Sequence, residues 1–164
     1  MDKRTGKNAY YLGIADSVLA RSTCLRRKYG AIIVKADEIL STGYNGAPRG
    51  RKNCSDIGGC TRERLNIPSG QRYELCRSVH AEQNAIISCA RRDMLGSTMY
   101  LCGRDAKTNE VISAAPCSLC RRFILNAGIE KIVCRTGEGE NDYETIIVSD
   151  WIENDDSLPD EAMV

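Results

Sequence analysis

His80-Ala81-Glu82-Gln83-Asn84-Ala85-Ile86 and, further on, Pro116-Cys117-Ser118-Leu119-Cys120 each open a helical pattern that a strand pattern follows. Ala81, Ala85 and Cys89, with Ile86 and Ala90 beside them, recur at helical spacing as far as Arg92. Thr98 to Cys102 then reads as a strand. Asp105 to Ile112, with its polar Lys107-Thr108-Asn109 turn, reads as a short excursion or hairpin. Leu119, Phe123 and Ala127, flanked by Cys120 and Ile124, make the second helical stripe, and Gly128 stops it. Ile129 to Cys134 is the next strand. Helix, strand, helix, strand calls for helices packed on a sheet.

Outward from this core, Tyr11, Ile14, Ala15, Val18 and Leu19 mark a helix from about Asn8 to Ala20. Gly30 to Val34 is a β-branched run that reads as a buried strand. A turn at Asp37-Glu38 leads to an antiparallel partner at Ile39 to Gly43. Asp16 and Asp37 read as surface or turn carboxylates. From Tyr44 to Val79 periodicity dissolves into Gly, Arg, Cys and Asn, a stretch long enough to be functional, metal-organised or disordered. Beyond Cys134, Ile146 to Val148 offers a last strand and Trp151-Ile152 a short helix. The acidic tail, about residues 153–164, contains Pro159 and reads as loosely held. The expectation is a single α/β domain over residues 1–164: three α/β/α layers around a central mixed sheet, with a cysteine-rich insertion at about 44–79.

Composition narrows the function classes. A chain of 164 residues can bury about 70% of its unfolded surface without a disulfide framework. Lys and Arg number 23 against 22 Asp and Glu, so the net charge of +1 gives no bulk case for binding nucleic acid polymer or an anionic membrane. No apolar run exceeds four residues, too short for a membrane span or a signal-peptide core. The chain reads as cytoplasmic. In that compartment nine cysteines suit core positions or metal ligands better than disulfides. His80 is the only histidine, so any imidazole chemistry rests on it.

The chemistry sits at two helix starts. Cys117 and Cys120, with Pro116 before them, fall in a first helical turn, where unpaired N–H groups and the helix dipole favour thiolate. Two thiolates and the His80 imidazole make a three-ligand zinc site with its fourth position open, the catalytic rather than the closed structural arrangement. Glu82, two residues beyond a ligand, need not bind metal. It can instead take a proton from the water such a metal activates and pass it to substrate. Taken singly, the histidine could cap its helix and the Cys-x-x-Cys could be a redox motif, but no thioredoxin-like order of elements surrounds it.

Together, H-x-E, a strand and a P-C-x-x-C that opens a helix form the signature of zinc nucleobase deaminases. From about Asn8 to Cys134 the chain resembles the cytidine and deoxycytidylate deaminase superfamily, and most closely its deoxycytidylate (dCMP) branch. The resemblance includes Ser22-Thr23-Cys24 before a glycine-led strand, and Gly43-Tyr44-Asn45-Gly46-Ala47-Pro48 after the second strand is what points to that branch. It implies hydrolysis of dCMP to dUMP and ammonia, with catalytic zinc on His80, Cys117 and Cys120 and Glu82 as general acid/base. It also implies Asn45 and Ala81 as substrate contacts, with Asn45 at the deoxyribose. Read alone, Gly43 to Pro48 is a tight turn. A homo-oligomer, dimer to hexamer, is implied as well, and some members respond to dCTP and dTTP with Mg²⁺.

Two further groups bear on this. Cys24, Cys54, Cys60 and Cys76 precede the first motif helix, and four soft ligands there would order the irregular stretch. Some dCMP deaminases carry such a second, structural zinc; buried free thiols are the plainer alternative. Cys89, Cys102 and Cys134 read as core. Arg26, Arg27, Lys28, Arg49, Arg51, Lys52 and Arg77 flank the expected pocket loops, where an arginine suits a phosphate dianion. The stretch Gly103 to Ala115 is longer than the usual family loop and falls beside the pocket. Other small substrates therefore stay open: cytidine, deoxycytidine, dCTP, guanine, or a pterin or flavin precursor. So does a zinc-organised binding module without catalysis, which would have no use for Glu82.

Overall fold

The computed structural model describes residues 3–154. In chain order the elements are Lys7–Leu19 (α1), Arg27–Lys35 (β1), Glu38–Tyr44 (β2), Thr61–Arg64 (α2), Ala81–Ile87 (α3), Arg91–Met94 (α4), Thr98–Asp105 (β3), Val111–Ile112 (β4), Ser118–Ala127 (α5), Lys131–Arg135 (β5), Tyr143–Ile147 (β6) and Val148–Glu153 (α6). A 3₁₀ turn at Tyr73–Leu75 lies between α2 and α3. The acidic tail expected from about residue 153 lies almost wholly outside the described residues. Among these, no helix is long and apolar enough to cross a membrane.

The strands form one mixed sheet in the order β2-β1-β3-β5-β6, with β4 added to the end of β3. Only β3 and β5 run parallel, and α5 lies on the long connection between them, as a parallel pair requires. The β1–β2 hairpin turns at Ala36 and Asp37, both at positive φ, a two-residue connection whose twist matches that of the strands. The last strand expected near Ile146 is present as β6, antiparallel to β5.

Alternation along the strands creates the layers. Ile32, Val34, Tyr100, Cys102 and Val133 face α1, which contributes Tyr11, Leu12, Ala15 and Leu19. The other face carries Ala31, Ile33, Met99, Leu101, Ile132 and Cys134, covered by α3, α5 and α6. Burying each large aliphatic side chain contributes about 1.5–3 kcal/mol. The expected three-layer α/β/α arrangement is what the chain adopts.

Two glycines let helices approach the sheet. A β-carbon on Gly30 would stand 2.2 Å from the Ala15 carbonyl oxygen, so α1 rests on bare backbone of β1. On the opposite face Gly43 does the same for α3. There Ser41 Oγ donates to the Ala85 carbonyl at 2.7 Å, and Asn84 Nδ2 to the Tyr44 carbonyl at 2.8 Å. The start of α3 is thereby pinned to the end of β2.

Three local readings change. The expected single helix from His80 to Arg92 is two, because α3 ends at Ile87. The Ser88 hydroxyl bonds the Asn84 carbonyl, and the chain tightens into a Cys89 N–Ile86 O turn. Cys89 therefore lies in that turn, half-buried, instead of in the core. Asp37 is exposed in the β1–β2 turn as expected, but both it and the half-buried Asp16 have distant partners. Arg104 Nε and Nη2 donate to Asp16 at 2.7 and 3.0 Å, and the Tyr11 hydroxyl donates to Asp37 at 2.5 Å.

Candidate metal centre and cavity

The two helix starts meet on the α3/α5 side of the sheet. His80 precedes α3 as its N-cap, and its backbone N–H donates to Gln83 Oε1 at 2.9 Å in a capping box. The ring is left to face the cysteines. Its Nδ1 lies 3.2 Å from Cys120 Sγ and 3.5 Å from Cys117 Sγ. Cys117 caps α5, its sulfur accepting the Cys120 backbone N–H at 3.5 Å. The donor atoms of His80, Cys117 and Cys120 all lie within 4.8 Å of one another, the only such trio of His, Cys, Asp or Glu among the described residues.

The electrostatics suit a bound dication. The hydrogen bond from Cys120, aided by the one to His80, pulls the Cys117 thiol down to about 4. The same pairing, with burial, pushes Cys120 up. Burial lowers the His80 pKa, but the Cys117 thiolate and the Glu82 carboxylate outweigh it and leave the ring raised. One imidazole and two sulfurs at this spacing fit zinc, whose charge would favour the thiolate form of both cysteines.

Glu82 is 6% exposed and lines the cavity beside this centre. Burial pushes its carboxyl upward, toward a group able to hold and release a proton. Ala81 shares the wall with it, its side chain fully buried. Asn45 lines the cavity too, but most of its amide is already engaged. Oδ1 accepts from Ser22 Oγ at 2.6 Å and from the Tyr29 N–H at 2.8 Å, and Nδ2 donates to the Arg27 carbonyl at 2.9 Å.

The expected cationic flank is only partly present. Arg26 and Arg27 line the cavity, whereas Lys28, Arg49, Arg51, Lys52 and Arg77 are not in its wall. Ala115, at the end of the Gly103 to Ala115 stretch, does reach it. Cys24, Cys60 and Cys76 also line it, and the buried Cys54 lies near all three. These four sulfurs gather in one region but are not drawn into a ligand-distance cluster.

Sequence reasoning missed Arg62 and Tyr73, both in the cavity wall. Arg62 is 6% exposed, and nothing in Thr61-Arg62-Glu63-Arg64 marks it as more than a surface charge. The base of the irregular stretch is closed by a paired bridge between Gly46 and Val79, which brings residues 47–78 back to the metal centre.

Residues 5–136 match the family model described as the cytidine and deoxycytidylate deaminase zinc-binding region. The chain is 39% identical over 130 residues to a deoxycytidylate deaminase of Mycobacterium phage D29, covering 76% of this chain and 90% of that protein. It is 30% identical over 133 residues to the Schizosaccharomyces pombe deoxycytidylate deaminase, covering 81% of this chain but only 38% of that protein. Among solved structures, dCMP deaminase from cyanophage S-TIM5 in apo form superposes with a TM-score of 0.57 at 27% identity, covering 85% of this chain and 90% of that one. The same cyanophage enzyme has been solved with dCMP and dUMP. Fold and site define a zinc-binding deaminase domain. The chain belongs to the cytidine and deoxycytidylate deaminase family.

Proposed function

We propose that this protein is a zinc-dependent hydrolase that converts dCMP and water to dUMP and ammonia in pyrimidine deoxynucleotide metabolism. The observation that carries the reading is the buried Glu82 carboxylate beside the His80, Cys117 and Cys120 donors in one cavity. The identity to the phage D29 deoxycytidylate deaminase supports dCMP over other amino-heterocycles.

In this reading His80, Cys117 and Cys120 would hold zinc, which would supply the Lewis acidity that lowers the pKa of water toward neutrality. Glu82 takes the first proton from that water and hands it to the pyrimidine ring nitrogen next to the amino-bearing carbon. It takes the second and delivers it to the departing amine, so that oxygen stays on the ring and nitrogen leaves as ammonia. Asn45 and Ala81 contact the nucleoside, and Arg26 and Arg27 supply positive charge for the 5′-phosphate.

Four finer assignments belong to the same proposal. Cys24, Cys54, Cys60 and Cys76 would close on a second, structural zinc; the thiol-lined wall supports this, because zinc would organise a segment with little hydrophobic core. A homo-oligomer, and regulation by a nucleotide with Mg²⁺, follow from family resemblance. Nine unpaired cysteines suit a reducing, cytoplasmic compartment.

The test is ammonia release from dCMP, dCTP, deoxycytidine and guanine. A site built for a phosphate leaves its cations unpaired without one, so dCMP should exceed deoxycytidine by more than ~10³-fold in kcat/KM. Asn45→Ala should lower dCMP use with zinc retained. Equal efficiencies for dCMP and deoxycytidine would overturn the substrate while leaving a zinc deaminase.

A further inference from the structure

Tyr73 reaches the cavity from the cysteine-rich segment rather than from the sheet or its helices. Its ring meets the His80 imidazole edge-on, with centroids 4.8 Å apart and planes at 87°. On its own face lies the Arg62 guanidinium, 4.7 Å from the ring centroid. Arg62 is itself fixed, because Nη2 donates to the Pro68 carbonyl at 2.7 Å and to the Gln71 carbonyl at 2.8 Å. Its Nε is buried without a hydrogen-bond partner, so on that side the stacked ring is the compensating contact. A charge held by two carbonyls thus clamps an aromatic ring against a metal-centre residue.

This arrangement exceeds what shaping a surface turn requires. The reacting carbon must come within reach of Glu82 and the His80 centre, so the pyrimidine occupies the end of the cavity that Tyr73 borders. Sugar and phosphate then extend toward Asn45, Arg26 and Arg27, which line the same cavity. A planar base gains most from a rigid aromatic wall, since every base presents a π-face and the ring has little rotamer freedom left to lose. Two aromatic residues line the cavity, Tyr29 from β1 and Tyr73, and the ring contact with the His80 imidazole is made by Tyr73.

We propose that Tyr73 is a base-contacting specificity residue and that Arg62 is the positioning residue that holds it there. The inference rests on the dCMP reading above and adds the residue that distinguishes the base from the rest of the nucleotide.

Two ligands separate this role from a merely structural one: dUMP, which carries base, sugar and phosphate, and deoxyribose 5-phosphate, which lacks the base. Tyr73→Ala should weaken dUMP binding about 10-fold, the worth of one aromatic–base contact, and change deoxyribose 5-phosphate by less than about 2-fold. Tyr73→Phe should restore dUMP affinity, and Arg62→Met should weaken dUMP in the same selective way. Should the alanine variant lose its zinc, Tyr73→Leu keeps apolar bulk against His80 and reads the same ratio. Equal weakening of both ligands, or none of either, overturns the proposal. A wild-type protein that neither binds dUMP nor deaminates dCMP would instead overturn the substrate reading on which it rests.

Discussion

A β-carbon on Gly43 would stand 2.3 Å from the carbonyl oxygen of Ala81. Strand and helix backbones are therefore in direct contact at the residue that lies between His80 and Glu82. Gly43→Ala must push α3 off the sheet, and overpacking of this kind costs about 1–3 kcal/mol. The expected outcome is a lower Tm with reduced zinc retention, because His80 moves with the helix while Cys117 and Cys120 stay on α5. A variant with unchanged zinc affinity and turnover would show that the contact does not hold the site in register.

Glu82→Gln keeps shape and hydrogen-bonding capacity but cannot carry a proton. Zinc content and Tm should stay near those of the parent, while turnover of dCMP falls at least ~10²-fold, as for loss of a general acid/base. Near-normal turnover in the zinc-loaded variant would remove Glu82 from the proton path.

Metal analysis of the purified protein should give two zinc equivalents per chain. Cys76→Ser should then lower the count to one and cost more in stability than in turnover per remaining zinc, because structural zinc binding is folding free energy. One equivalent in fully active protein would return Cys24, Cys54, Cys60 and Cys76 to the role of free thiols.

The Tyr11–Asp37 bond predicts a pH signature away from the active centre. Its hydrogen bond to Asp37 pushes the Tyr11 hydroxyl up to about 12, and the same bond, with Lys7 alongside, holds Asp37 below its ordinary value. The raised phenol contributes stability fully below its unfolded pKa of about 10, lost as pH rises through its folded value. The lowered carboxylate contributes above its unfolded value of about 3.9, lost as pH falls through the folded one. Tyr11→Phe should therefore lower Tm by a constant amount between those unfolded values, with the gap closing toward either extreme. A gap that widened above pH 10 would contradict the bond.

The sheet was legible because its inner strands are short apolar runs between turn residues, as in Ala31 to Val34 and Thr98 to Cys102. His80, Glu82, Cys117 and Cys120 were legible because their roles depend on spacing at helix starts, a local property. Arg62 and Tyr73 were not: their positions depend on two carbonyls and an imidazole that the chain brings together only after folding. The break at Ser88 hid for a different reason. The apolar stripe runs on through Cys89, whereas the backbone leaves the helix at Ser88 and is extended at Ala90. Asp16 likewise finds Arg104 across 88 positions, beyond any local pattern.

The saturation of Asn45 constrains how a sugar can be read. With two hydrogens arriving at its oxygen and one of its own already given to Arg27, the amide keeps a single N–H for a visitor. Any hydroxyl it greets must present a lone pair, not a proton. In the proposed role Asn45 would thus act as a gauge of orientation, because a sugar hydroxyl that pointed its hydrogen at this amide would meet no acceptor there.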